Sequence, residues 1–253
     1  MQPSGAATGL LQLSLPLGLY LGITSGATWH WWAAAVFFYT IVYSLVGNNI
    51  GLHRYFTHGH FTVSKPVEYF FLWSGSTIGL GDPLSYAITH IIHHKYPDTD
   101  LDPHGPVRGK RSWLIWFQKT VDPAETPVFS RRLTDLYRKY NWVHTYYIPL
   151  LILNAGILWL IDYRAFLFLW LIPISLSCWG IGWAVWRQHQ DFVANNCPTH
   201  KWEPLYEGLH LNHHDHPMAP NTAIRKGEID WTYQVSKIFR PTYNWKGQPK
   251  QDD

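Results

Sequence analysis

No charged side chain occurs between Met1 and His53 of this 253-residue chain; the first is Arg54. Two further neutral stretches, Tyr140–Ile161 and Ala165–Trp186, are 22 residues long each. That is close to the roughly 20 residues an α-helix needs to cross the hydrocarbon core of a bilayer. Only 15% of the chain is Asp, Glu, Lys or Arg, against about 25% in an average soluble domain. These stretches exclude an ordinary soluble domain and a disordered chain, and leave an integral membrane protein. Cys178 and Cys197 are the two cysteines, too few for a disulfide framework.

The neutral N-terminal block is long enough for two crossings, parted by the turn-like Thr24-Ser25-Gly26-Ala27-Thr28. Asp162-Tyr163-Arg164 parts the two later stretches in the same way. The expected fold is therefore all-α: two helical hairpins with membrane spans at about 8–24, 30–50, 144–161 and 165–186, in one domain covering 1–253. With no Lys or Arg ahead of the first stretch there is no basic n-region, so that stretch is expected to be a retained helix. Nineteen of the twenty Lys and Arg fall in 51–143 and 187–253. The positive-inside rule makes these segments, and with four crossings both termini, cytoplasmic. Topology and anionic lipid account for the net charge of +3 without a nucleic-acid partner. Tyr69–Gly81 is apolar but too short to span, and is expected to be a buried or interfacial helix of a cytoplasmic cap.

Histidine is unusually abundant, at 15 residues, and clusters in three boxes. His53 and His58 lie in HRYFTH; His90, His93 and His94 in HIIHH; His210, His213 and His214 in HLNHH. Residues at i, i+3 and i+4 share a helix face, so each HxxHH run presents three imidazoles in one direction. The HxxxxH pair differs: five residues advance about 140° beyond a full turn at 3.6 residues per turn. It is expected to straddle a helix end or converge from two directions. Eight imidazoles exceed what one metal ion needs and suit two ions with open positions; imidazole serves iron as well as zinc. Asp98, Asp100 and Asp102 after the second box and Glu207 before the third are candidates to accept the other ring N–H of a ligating histidine. His30, His144 and His200 read as interfacial or satisfied polar residues, and His60 and His216 flank boxes.

On GLHRYFTH (51–58), HIIHHKYPDTDLDPH (90–104) and EGLHLNHHDHP (207–217), the sequence resembles the membrane fatty acid desaturases, within them the acyl-CoA and acyl-lipid Δ9 branch. The resemblance covers nearly the whole chain. It implies a cytoplasmic cap holding a non-haem di-iron centre on nine histidines, with dioxygen as co-substrate and two electrons from a separate ferredoxin or cytochrome b5. Its substrate would be an acyl-CoA or acyl-lipid. By motif the ligands are His53, His58, His90, His93, His94, His210, His213 and His214, with His189 as ninth. The family pattern around that ninth ligand has Asn where this chain has Val185, leaving the role of anchoring a metal-bound water unassigned. No side-chain acid or base is assigned. The resemblance also implies a bent apolar tunnel. Trp73, Trp113, Trp116, Phe117, Trp179 and Trp183 can line it, or serve as packing and lipid-facing anchors. Arg108, Lys110 and Arg111 can meet an anionic head group or donor protein, or simply set topology.

Two rival readings follow from the same residues. One is a histidine-box hydroxylase or ketolase acting on an alkane, sterol or carotenoid; HR opening the first box and D-x-DPH closing the second favour the desaturase. The other is a transition-metal transporter or sensor, which expects ionisable ligands near the bilayer midplane rather than boxes outside all four spans.

Overall fold

The computed structural model describes residues 3–99, 101–103, 131–190, 193–197 and 207–242. Among them the chain is helical apart from a two-stranded antiparallel ribbon, β1 (Phe61–Thr62) with β2 (Arg240–Pro241). Helices α1 (Pro3–Leu13) and α2 (Leu15–Thr24) form one apolar rod bent by 45° at Ser14. Pro16, in the first turn of α2, cannot continue the ladder of α1. After a turn through Gly26, α3 (Trp29–Phe37) runs without a break into a π-helical segment, Phe38–His58, so that Trp29–His58 is one 30-residue helix. The expected span at 30–50 thus carries on eight residues past its predicted end and takes the first histidine box with it.

Helix α4 (Lys65–Ser76) overlaps the short helix expected over 69–81 but starts four residues earlier and ends five earlier, and it crosses the π segment at small residues. A Cβ at Gly47 would lie 2.8 Å from the Ser74 carbonyl oxygen, and one at Gly75 would lie 2.8 Å from Leu52 Cγ. Only glycine lets the two backbones come this close, the device by which helices pack in lipid. Helix α5 (Pro83–Lys95) starts at a cap written in the sequence: Asp82 accepts the N–H of Leu84 at 2.9 Å and of Ser85 at 3.2 Å, with Pro83 in the first turn.

Helices α6 (Arg131–Thr145) and α7 (Tyr147–Ile161) meet at a 58° bend. Pro149 explains the break, because its ring would clash with the carbonyl four residues back, at Thr145. Asp162 caps the short α8 (Tyr163–Phe166), which passes through a wider turn at Leu167–Leu171 into α9 (Ile172–Gln188). That wider turn precedes Pro173 and absorbs its missing N–H, so Tyr163–Gln188 stays one helix. The third box forms α10 (His210–Asp215), and α11 (Trp231–Ser236) closes the described chain.

Two helices, Trp29–His58 and Tyr163–Gln188, are long and apolar enough to cross a membrane, and each bent pair passes the same test as one span. Large apolar side chains face outward along them: Leu160 is 85% and Ile23 72% exposed. By length and composition these helices are compatible with a membrane protein.

Candidate metal centre

The π segment brings the first box into register. Its hydrogen bonds join residues five apart, so side chains at i and i+5 stack. The Thr57 hydroxyl donates to the Leu52 carbonyl at 2.8 Å, and the Gly59 N–H closes the helix on the Arg54 carbonyl. His53 and His58, also five apart, therefore share one face, with ring centroids 4.8 Å apart. The expectation of a pair straddling a helix end assumed 3.6 residues per turn, which is not the pitch here. The second box lies on α5 and the third on α10, each with its three imidazoles on one side. His189 follows the last residue of α9.

These nine rings assemble into two groups. His53, His58, His90, His94 and His213 form one; His93, His189, His210 and His214 form the other; within each, one ligand nitrogen per residue lies within 4.8 Å of the rest. The nitrogens that meet are the Nε2 atoms. His53 faces His213 at 3.0 Å, His94 faces His213 at 2.9 Å and His90 at 3.0 Å. In the second group His189 faces His210 at 2.8 Å, His214 faces His210 at 3.0 Å and His93 at 3.1 Å.

Three carboxylates fix the tautomer of one ring in three of those contacts. His53 donates from Nδ1 to Glu207 at 3.3 Å, His93 to Asp102 at 2.8 Å and His189 to Asp98 at 3.0 Å. A neutral ring that donates from Nδ1 keeps a bare lone pair on Nε2. Lone pairs crowded around a common point repel unless a cation lies between them. In the five-ring group the buried His58 Nε2 has no hydrogen-bond partner. Two nitrogens each about 2.1 Å from one ion lie about 3.0 Å apart at a right angle and about 3.4 Å apart at the tetrahedral angle. The spacings here suit right-angled coordination, so the residues fit a pair of metal ions.

Burial, and after it the neighbouring imidazoles, hold His90, His210 and His213 well below the usual imidazole range and His214 at about 3. For His93, burial lowers the ring further than Asp102 raises it. Neutral imidazole is the form that binds metal.

Behind the rings lies a network the sequence did not announce. Arg54, 1% exposed, donates to Glu207 at 2.8 Å from Nε and 2.5 Å from an Nη nitrogen, and to Asp230 at 2.9 Å. Burial alone would raise the Glu207 carboxyl, but Arg54 and His53 hold it well below the usual carboxylate range. Asp230 in turn accepts the N–H and hydroxyl of Thr222, at 2.9 Å each, which ties the segment after the third box to the first. The available signal was that Arg54 is the first charge after a neutral helix, where an ionisable residue needs a buried partner.

The remaining candidates fall elsewhere. His60 is buried outside both groups and donates from Nε2 to the Pro217 carbonyl at 2.9 Å. His144 donates to Asp82 at 2.8 Å, and His30 stacks on Trp29. His216 ends α10. A cavity of about 50 Å3 touches both groups; Asn48, Asn49, Tyr86, Ile181, Val185 and Gln188 line it beside His53, His90 and His210. Trp73 and Trp183 sit instead near the outer surface, 39% and 42% exposed, and Trp179 donates to the Gln12 carbonyl at 2.7 Å. Asp100, Arg108, Lys110, Arg111, Trp113, Trp116, Phe117 and His200 lie outside the described residues.

Comparison with known proteins bears on these groups. A family model described as fatty acid desaturase matches residues 29–230. The chain is 31% identical to delta-9 acyl-lipid desaturase 1 of Arabidopsis thaliana over 232 residues, 84% of this chain and 73% of that protein. It is 28% identical to an sn-1 stearoyl-lipid 9-desaturase of Anabaena variabilis over 253 residues, 88% of each. An acyl-CoA 5-desaturase of Anemone leveillei is 27% identical over 249 residues, 92% of this chain and 77% of that protein.

Proposed function

The chain belongs to the fatty acid desaturase family and is an oxidoreductase, and from that premise we propose that it introduces a double bond into a saturated fatty acyl chain, at Δ9, with two iron ions and dioxygen. The observation that carries the reading is the convergence of nine imidazoles on two points beside one cavity. His53, His58, His90, His94 and His213 would hold one ion, and His93, His189, His210 and His214 the other. The support for Δ9 is that the relative 31% identical to this chain carries position 9 in its name, as does the one matched over 88% of both lengths, while positions 5 and 7 occur in the names of other relatives. Both lipid-linked and CoA-linked chains occur among those names, so the substrate class is acyl-lipid or acyl-CoA.

Iron supplies the oxidising power that an unactivated C–H bond demands and that side-chain acids and bases lack. The residues do the rest. Asp98, Asp102 and Glu207 hold the His189, His93 and His53 rings by Nδ1, which fixes each Nε2 toward its ion. Ile181 and Val185 offer the alkyl chain an apolar wall, while the buried rings keep bulk water from the reacting carbons. Two hydrogens leave the substrate, and with two electrons and two protons from the donor side they reduce one dioxygen to two waters. The electrons come from a separate donor, a ferredoxin or cytochrome b5. In this reading the chain is a single membrane domain that crosses the bilayer four times, with both termini and the histidine groups on the cytoplasmic face.

The test is direct. The purified protein is expected to hold two irons per chain and, with stearoyl substrate, dioxygen and a reduced donor, to yield a product lighter by two hydrogens. Gain of oxygen would favour the hydroxylase or ketolase, and metal uptake into proteoliposomes without acyl product the transporter. A protein that binds no iron and leaves the acyl chain saturated ends the proposal.

A further inference from the structure

The two groups of imidazoles are not backed alike. In the four-histidine group Asp98 accepts His189 Nδ1 through one oxygen, and its other oxygen, Oδ1, is buried with no hydrogen-bond partner. The Asp98 side chain is only 6% exposed. Asp98 is also the one non-glycine residue with a left-handed backbone among the described residues, at φ 60°. That conformation is unfavourable for an L-residue, though Asp tolerates it better than most, and it is kept where the surroundings enforce it. The loop spends that strain on placing a carboxylate against a metal-binding ring. Asp102 enforces it, accepting the Asp98 N–H at 2.9 Å through the same oxygen that holds His93. In the five-histidine group the carboxylate behind His53 is Glu207, and both its oxygens are taken by the Arg54 guanidinium at 2.8 and 2.5 Å.

A carboxylate behind a ligating histidine makes that ring a stronger electron donor to its ion, and a buried charge is screened less than one at the surface. A guanidinium bound to the same carboxylate offsets part of the effect: Glu207, Asp230 and the Arg54 they share carry one net negative charge, against two on Asp98 and Asp102. Resting on the di-iron reading, we infer that the two ions are electrically unequal. The ion on His93, His189, His210 and His214 gives up an electron more readily than the ion on His53, His58, His90, His94 and His213. Asp98 and Arg54 are the positioning residues that set the difference. Each ion passes from the 2+ to the 3+ state by losing one electron, which the test exchanges with a one-electron organic mediator.

The experiment is a stepwise oxidation of the 57Fe-loaded, detergent-purified holoprotein with such mediators, read by Mössbauer spectroscopy, which reports each iron's valence. The two irons are expected to convert at separate potentials, with equilibrium constants at least tenfold apart, or 59 mV for a one-electron couple. Asp98→Asn keeps the acceptor for His189 but removes the charge. It is expected to raise the lower potential by a tenfold change in equilibrium and leave the other in place. Glu207→Gln removes the charge behind His53 and leaves Arg54 paired with Asp230 alone, and is expected to raise the higher potential instead, while Arg54→Lys keeps the charge and leaves both near their wild-type values. Irons that convert together in the wild type overturn the inference, and that measurement stands even where a variant loses iron. So does an Asp98→Asn protein in which the higher potential moves. A protein holding no iron overturns the di-iron reading itself, a result distinct from two irons of equal potential.

Discussion

His189 is the least supported of the nine by pattern and the most demanding of the structure. It stands alone in the sequence, one residue past α9, and is buried with its Nε2 2.8 Å from that of His210 and its Nδ1 on Asp98. Removing it takes one of four nitrogens from its group but leaves the other five-ring group whole. His189→Ala is therefore expected to drop bound iron from two to about one per chain and activity more than 100-fold, with the protein still inserted and folded. Iron analysis beside size-exclusion chromatography in detergent checks this; full iron content would remove His189 from the ligand set. Six of the eight boxed histidines were legible because the i, i+3, i+4 spacing repeats in the second and third boxes. His189 was reached only through resemblance to a family. The tie from Arg54 to Asp230 joins residues 176 positions apart. No local pattern encodes such a contact, so only the need of a buried charge for a partner pointed to it.

At the level of elements, the first box shows why spacing alone misplaced a feature. HxxxxH is awkward on an α-helix and natural on a π-helix, and π turns leave no hydrophobic signature distinct from α turns. What the sequence did contain was the pair of small residues that lets the wide helix lie against its neighbour. The Cβ of Gly47→Ala would meet backbone, the Ser74 carbonyl oxygen at 2.8 Å and its carbon at 2.9 Å. Backbone cannot rotate away as a flexible side chain can. Gly47→Ala is thus expected to push α4 off the π segment at a cost of about 1–3 kcal/mol. Because the segment also carries His53, iron is expected to bind less tightly. Thermal unfolding in detergent together with chelator-competition measurements would show both effects, and a variant with unchanged unfolding temperature would place the glycine outside the packing argument. Of the two prolines that such helices can tolerate, Pro149 lies at a 58° bend, while Pro173 does not bend its helix because the wider turn before it takes up the missing bond.

For the whole molecule, the question is whether rods bent by 45° and 58° can lie in lipid, where an unsatisfied backbone group costs several kcal/mol. Bonds still run through both bends. At the first, the Ser14 N–H donates to the Leu10 carbonyl at 2.9 Å and its hydroxyl to the Leu11 carbonyl at 2.7 Å. At the second, the Tyr146 N–H donates to Trp142 at 3.0 Å, and the Thr145 hydroxyl donates to Asn141 at 2.9 Å. With those bonds in place, four crossings are physically open, and the cytoplasmic face proposed above rests on the Lys and Arg bias. The prediction is a labelling pattern in a Cys197→Ser background. A membrane-impermeant maleimide added to intact cells should modify Thr28→Cys and Arg164→Cys, which lie in the two turns. Arg138→Cys on α6 and Lys226→Cys beyond the third box should react only after permeabilisation, as should an N-terminal epitope with its antibody. Arg138→Cys decides whether the α6–α7 pair crosses, and the epitope decides the same for α1–α2. If Arg138→Cys labels from outside together with Arg164→Cys, that bent pair lies along the surface. That outcome would overturn α6–α7 as the third span.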